Sequence, residues 1–176
     1  MIDKRLTVSK RRICYINSDT RTLETSVAFF EKRLKLISNV ELVQFSTLER
    51  VKESGPCDLL IFNAVHLDDA AFLQWFPKMQ SKIPNPSEIR TPTLFLSKIE
   101  FTVLENLWED AYKSNWYFDI LDPEHIESIP IRVANLLRMH DHLHEIKRYE
   151  TELVSMKKRL DSLEEKLEKL NPHERR

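Results

Sequence analysis

"CDLLIFNAVHLDD", residues 57–69, contains the segment on which the fold turns. Leu59-Leu60-Ile61-Phe62 is a continuous apolar run framed by Asp58 and Asn63. A run this short with polar ends reads as a fully buried strand. Its polar carboxyl end is where α/β folds often place chemistry. The same kind of run recurs on both sides. "RICYIN" (12–17), "NVELVQF" (39–45), "TLFLS" (93–97) and "WYFDIL" (116–121) read as further strands. Helical patterns lie between them. Leu23, Val27, Phe30 and Leu34 keep helical spacing after Thr20 or Thr22, and Ser46 or Thr47 caps a short helix that stops at Gly55-Pro56. Residues 68–80 read as a helix that Pro77 is expected to bend or end, and residues 100–114 as an amphipathic helix.

Five strands alternating with helices predict parallel β-α units with right-handed crossovers. The strands are apolar enough to be covered on both faces. The expected fold is α/β: a flavodoxin-like, five-stranded parallel sheet in the order 2-1-3-4-5, with a fifth helix extended into a coiled coil. Ile13, Ile16, Leu60, Ile61, Phe62, Leu94 and Leu96 are the expected core.

The totals exclude several function classes. Lys and Arg number 27 against 28 Asp and Glu, a net charge of −1, so no charge excess favours nucleic acid or an anionic membrane. Apolar runs fall short of a bilayer span, and "MIDKRLTVSKRR" has no apolar signal region. A cytoplasmic protein with no membrane insertion is the expectation. Cys14 and Cys57 sit in apolar runs and read as reduced core thiols. Gly55 is the only glycine, which rules out a Gly-rich phosphate loop, a dinucleotide fingerprint and a G-x-S-x-G nucleophile elbow. The lead-in with Lys4, Arg5, Lys10, Arg11 and Arg12 reads as a solvated basic tail.

From Ser128 the pattern changes. Ser128 is expected to cap a helix, with Pro130 tolerated in its first turn, and no breaker follows until Asn171-Pro172. Met139, His142, Ile146, Tyr149, Leu153, Met156, Leu160, Leu163, Leu167 and Leu170 fall at alternating steps of three and four, the a and d positions of a heptad. A parallel coiled coil over 139–170, making a homodimer, is predicted. With Leu153 at a, Glu152 meets Lys157 and Arg159 meets Glu164 of a parallel partner, while Glu145 meets Glu150 unfavourably. Leucine at both a and d leaves a trimer or tetramer open. His142 at a d position can set register or respond to pH. His140 and His144 are spaced for one helical face, but two imidazoles do not make a metal site, and none is expected. The domain plan is a lead-in (1–10), an α/β domain (11–138), the coiled coil (139–170) and a tail (171–176).

Over residues 11–138 the chain resembles the receiver domain of bacterial two-component response regulators. "ICYINSDT" sits where that family ends strand 1 in an acidic pair, "DLLIFN" where the phosphoacceptor aspartate ends strand 3, "TPTLFLS" where a switch hydroxyl ends strand 4, and "DILDP" where Lys-Pro ends strand 5. The resemblance implies that the Mg²⁺-binding acidic pair falls on Asn17 and Ser18, with Asp19 beside them. It puts the phosphoacceptor on Asn63, the switch hydroxyl on Ser97, the phosphate-sensing lysine on Asp122 and the switch aromatic on Asp119. The aspartyl phosphotransfer of that family needs a carboxylate nucleophile and carboxylates to anchor the cation. The resemblance therefore implies a degenerate pocket, a pseudo-receiver independent of phosphorylation. It also implies a partner face around the fourth helix, fifth strand and fifth helix, with Trp108, Tyr112 and Trp116 as its candidates.

The expected protein is a non-enzymatic, dimeric signalling or scaffold module that contacts an unidentified signalling protein and uses no cofactor. Two alternatives stand beside it. One is the regulatory front end of a larger output enzyme such as a nucleotide cyclase, although too few residues follow Leu170 to hold one. The other is a small flavodoxin-like enzyme with an unrecognised site. A residual cation site at Asp19 and Asp122 is weighed against each residue capping a helix or facing water.

Overall fold

A computed structural model of the chain describes residues 10–17, 32–34, 37, 39–83, 89–99 and 116–170, and for 168 and 170 the backbone alone. It divides into two compact units, Met1–His140 and Asp141–Arg176. The expected helices over 22–35 and 100–114 fall largely or wholly outside the described residues, as do Ser18, Asp19, Trp108, Tyr112 and the side chain of Leu170.

The first unit is built on a parallel sheet of β1 (Arg11–Ile16), β2 (Val40–Phe45), β3 (Leu59–Asn63), β4 (Thr93–Leu96) and β5 (Phe118–Leu121), in the order β2-β1-β3-β4-β5. This is the flavodoxin-like arrangement. Side chains alternate across the sheet as strand geometry requires. Cys14, Ile16, Leu60, Phe62 and Phe95 share one face with Leu48, Val51, Phe72, Phe76 and Met79. Ile13, Tyr15, Leu59, Ile61, Leu94 and Leu96 share the other with Ile129, Val133, Leu136 and Leu137. Helices cover both faces, so the strands read as unbroken apolar runs rather than alternating ones. All seven expected core residues are buried.

Several boundaries differ from expectation for local reasons. β2 starts at Val40 because Asn39 takes a left-handed conformation, φ 62°, which asparagine tolerates. β3 starts at Leu59, as its apolar run indicates, and Asp58 just before it turns to the neighbouring strand. Its carboxylate accepts from the Arg12 backbone N–H at 2.7 Å and from Arg11 Nη1 at 3.0 Å. Arg12 Nη1 in turn donates to the Ser54 and Pro56 carbonyls at 2.8 and 3.2 Å. Arg11 and Arg12 are thus strand-pinning residues and not part of a solvated tail.

The helix Leu48–Glu53 is capped by Thr47, whose side chain accepts from the Arg50 N–H. Gly55 follows at φ 104°, a region closed to most L-residues. Replacing Gly55 with alanine is expected to lower stability by roughly 1–3 kcal/mol through backbone strain. Urea unfolding checks this, since the added Cβ would meet only Arg12 Nη1 at an ordinary contact distance of 3.6 Å, so crowding does not explain the loss.

The helix Asp69–Lys82 does not end at Pro77 but continues past it. Pro77 lies on the exposed side and the residue whose carbonyl it frees, Leu73, is also exposed, so water can satisfy the lost bond. Phe72, Phe76 and Met79 anchor the opposite side. At the other end of the chain, Ser128 is not a helix cap. Asp122 caps a 3-10 turn, Pro123–Ser128, that passes directly into the helix Ile129–Leu170, and Ser128 Oγ donates back to the His125 carbonyl. No free helix start is left at Ser128 for it to cap.

Candidate functional site

Asn17, Asn63, Ser97 and Asp122 each end or follow a strand at the carboxyl edge of the sheet, the edge where open α/β sheets bind ligands. The backbone ladder carries the register into this edge. The Asn17 N–H donates to the Phe45 carbonyl at 3.1 Å, the Ala64 N–H to Leu96 at 2.9 Å and the Ser97 N–H to Leu121 at 3.0 Å. Asn17 is fully buried and Asn63 half-buried.

The two amides are bonded to each other. Asn63 Nδ2 donates to Asn17 Oδ1 at 3.2 Å, and Asn63 Oδ1 accepts from the Val65 N–H at 3.3 Å. Asn63 therefore ties the tip of β3 to the tip of β1 and holds the turn that follows, an Asx-type role. Both amide oxygens that could serve a cation are committed to N–H donors. A hard divalent ion such as Mg²⁺ prefers carboxylates, so Asn17 and Asn63 do not fit it. Asp19 lies outside the described residues. The Asp122 carboxylate accepts from the Glu124 N–H at 2.9 Å, as a turn cap. Among the described residues, no group of three His, Cys, Asp or Glu side chains could hold a metal.

Ser97 is 1% exposed, and its hydroxyl has no hydrogen-bond partner among the described residues. Among the described residues, Lys98 brings a cation to this edge. Its Nζ lies 3.1 Å from Glu124 Oε1, with both side chains exposed. No pattern in the sequence links a lysine after β4 to a glutamate after β5; only the β4–β5 pairing does.

Asp119 meets Arg132 of the following helix in a bidentate pair at 2.7 and 2.8 Å. That planar fork-to-carboxylate geometry fixes orientation as well as charge. The position that the receiver resemblance gives to a switch aromatic is here an ionic tie between β5 and the helix Ile129–Leu170. Trp116, a partner-face candidate, is 3% exposed, and its indole N–H is shared between the Thr91 carbonyl and Thr93 Oγ1, each at 3.2 Å. It belongs to the core and offers no surface to a partner.

A half-open cleft of about 240 Å³ lies beside Asn63, lined in part by Phe62, His66, Trp75, Met79 and Lys82. Lys82 Nζ reaches Glu49 Oε1 at 3.3 Å. A hydrogen bond from its own backbone N–H, then Lys82, holds the Glu49 carboxyl below its ordinary range. Burial, then contact with Cys14, pushes the Cys57 thiol above its ordinary range.

No protein-family model matches this chain, and no curated protein matches it. Among solved structures, the chain is similar to a Burkholderia pseudomallei K96243 protein described as pilus assembly-related. The identity is 9% and the TM-score 0.46, over 74% of this chain and 91% of that one.

Proposed function

We propose that this chain is a non-enzymatic, dimeric signalling or scaffold protein of the cytoplasm. In this reading it is a pseudo-receiver related to bacterial two-component response regulators, acts without phosphorylation, and works through protein–protein contacts and a C-terminal coiled coil. One observation carries the reading. The helix Ile129–Leu170 leaves Ile146, Tyr149, Leu153, Met156, Leu160, Leu163 and Leu167 between 52% and 64% exposed, all at the a/d spacing of one stripe. A continuous apolar stripe of this kind marks an interaction surface. No helix among the described residues is long and apolar enough to cross a membrane, so the stripe is read as a seam for another helix.

The amide pair at the strand tips supports the rest. Asn63 offers no carboxylate to phosphorylate, and its amide already serves the β1–β3 junction. Incubation with a small phosphodonor and Mg²⁺ is expected to leave the intact mass unchanged. A stoichiometric gain of one phosphoryl group on an acidic residue would sink the pseudo-receiver reading. Asn63→Asp alone is expected to stay unphosphorylated, because Asn17 and Asp122 still hold neither a cation nor a phosphoryl oxygen.

The cleft beside Asn63 favours a second reading, a small-molecule site on the same fold. Trp75 lines it, so a tryptophan fluorescence titration against small aromatic and anionic metabolites tests that reading. Saturable quenching that Trp75→Phe abolishes would support it.

A further inference from the structure

The apolar stripe has two chemically different halves. Its first half carries Met139, His142, Ile146 and Tyr149, of which Ile146 alone is an aliphatic branched residue. Its second half carries Leu153, Met156, Leu160, Leu163 and Leu167, all 56–64% exposed.

The charges divide the same way. Flanking the first half, Lys147 lies 3.9 Å from Glu150, and Arg148 lies 3.8 Å from Glu152 and stacks over Tyr149 at 5.0 Å, all within the chain. In a parallel pair, Glu145 would also face Glu150 of the second copy, with like charge. In the second half, Lys157, Arg159 and Glu164 make no ion pair within the chain among the described residues. These same residues flank the leucine seam. Parallel and in register, Arg159 (g) meets Glu164 (e) of a second copy, and Lys157 (e) meets Glu152 (g), on both sides of the seam.

Resting on the dimeric reading above, we propose that the occupant of this surface is a second copy of the chain. It docks parallel and in register along residues 153–167, and this half decides association while residues 139–149 follow. Apolar contact supplies the affinity and the charges choose the orientation, because exposed ion pairs contribute little individually.

A charge swap in the full chain tests this. Arg159→Glu and Glu164→Arg each replace two attractive contacts per homodimer with two repulsive ones, and each is expected to weaken pairing by roughly 3- to 10-fold. Mixing the two variants restores attraction at both contacts when the helices are parallel and in register, because the acidic 159/164 pair of one chain then meets the basic pair of the other. Native mass spectrometry of the equimolar mixture should then show heterodimer well above the statistical half. A heterodimer share at or below half overturns the parallel register and leaves the dimer standing. A monomeric wild-type chain refutes self-pairing and the dimeric reading with it. A wild-type trimer or tetramer refutes the two-copy occupant. Leu160→Ser is expected to weaken pairing at least about tenfold more than His142→Ser, because a leucine loses far more apolar burial than an imidazole. The reverse order refutes the assignment of association to residues 153–167.

Discussion

Replacing Phe95 with alanine is expected to destabilise the α/β unit by about 3–5 kcal/mol, the range for emptying a large aromatic site in a packed core. Phe95 is fully buried on β4. Its ring meets those of Phe62, Phe72, Trp75, Phe76, Trp116 and Phe118 at centroid separations from 5.4 to 6.0 Å. The partners come from β3, β5, the helix Asp69–Lys82 and the segment before β5, so one ring joins four parts of the chain. Edge-to-face contacts of this kind contribute about 0.5–1.5 kcal/mol each beyond area burial, and a truncation loses several together. Urea unfolding at fixed protein concentration, followed by tryptophan fluorescence, measures the effect. Gln74→Ala, at an exposed site on the helix that faces Phe95, is the control and should change stability by no more than about 0.5 kcal/mol. A loss below about 1 kcal/mol at Phe95 would mean that the aromatic cluster is not the centre of the core.

That centre was not legible in the sequence, although the strand that holds it was. "TLFLS" announces a buried strand by its apolar residues, and nothing local separates Phe95 from Leu94 or Leu96. The separation comes from the pleat, which turns Phe95 toward Phe76 and Trp116 and its two neighbours toward Ile129 and Val133. Strand order was legible for a simpler reason: five apolar runs alternating with helical patterns leave few topologies that obey crossover handedness. Pro77 did not end its helix because propensity does not register that its partner carbonyl faces water. Trp116 misled because an aromatic at a strand start looks alike in a core and on a binding face.

The candidate site was legible as a row of strand ends, and its residue types were enough to see that carboxylates were missing. Its contacts were not. Asn17 and Asn63 stand 46 positions apart, and their bond exists only because β1 and β3 are neighbours in the sheet. The same holds for Asp119 and Arg132. Their separation of 13 residues spans a 3-10 turn that no periodicity marked. Local chemistry names the residues at an edge; sheet order decides which of them touch.

Changing Leu160 and Leu163 together to glutamate is expected to turn a dimer into a folded monomer. The two side chains are 58% and 56% exposed in the single chain, so more than half of each remains to be covered by a partner. At about 1.5–3 kcal/mol for full burial of a leucine, four half-covered leucines per dimer represent roughly 3–7 kcal/mol. Four carboxylates facing one another across the seam add repulsion to that loss. The sum weakens pairing at least a hundredfold on the order of 1.4 kcal/mol per tenfold, enough to dissociate a micromolar dimer at working concentrations. Neither residue belongs to the two buried clusters of the sheet, so the α/β core should keep its near-ultraviolet dichroism and its urea midpoint at low protein concentration. Val154 supplies the decisive comparison. It is 56% exposed, as apolar as its neighbours, and one step off the seam. Val154→Glu should leave the dimer intact by light scattering, whereas Leu160→Glu with Leu163→Glu should give the mass of one chain. Should both variants dissociate alike, the contact is generic apolar adhesion and not a heptad seam; should neither dissociate, the stripe is not the interface.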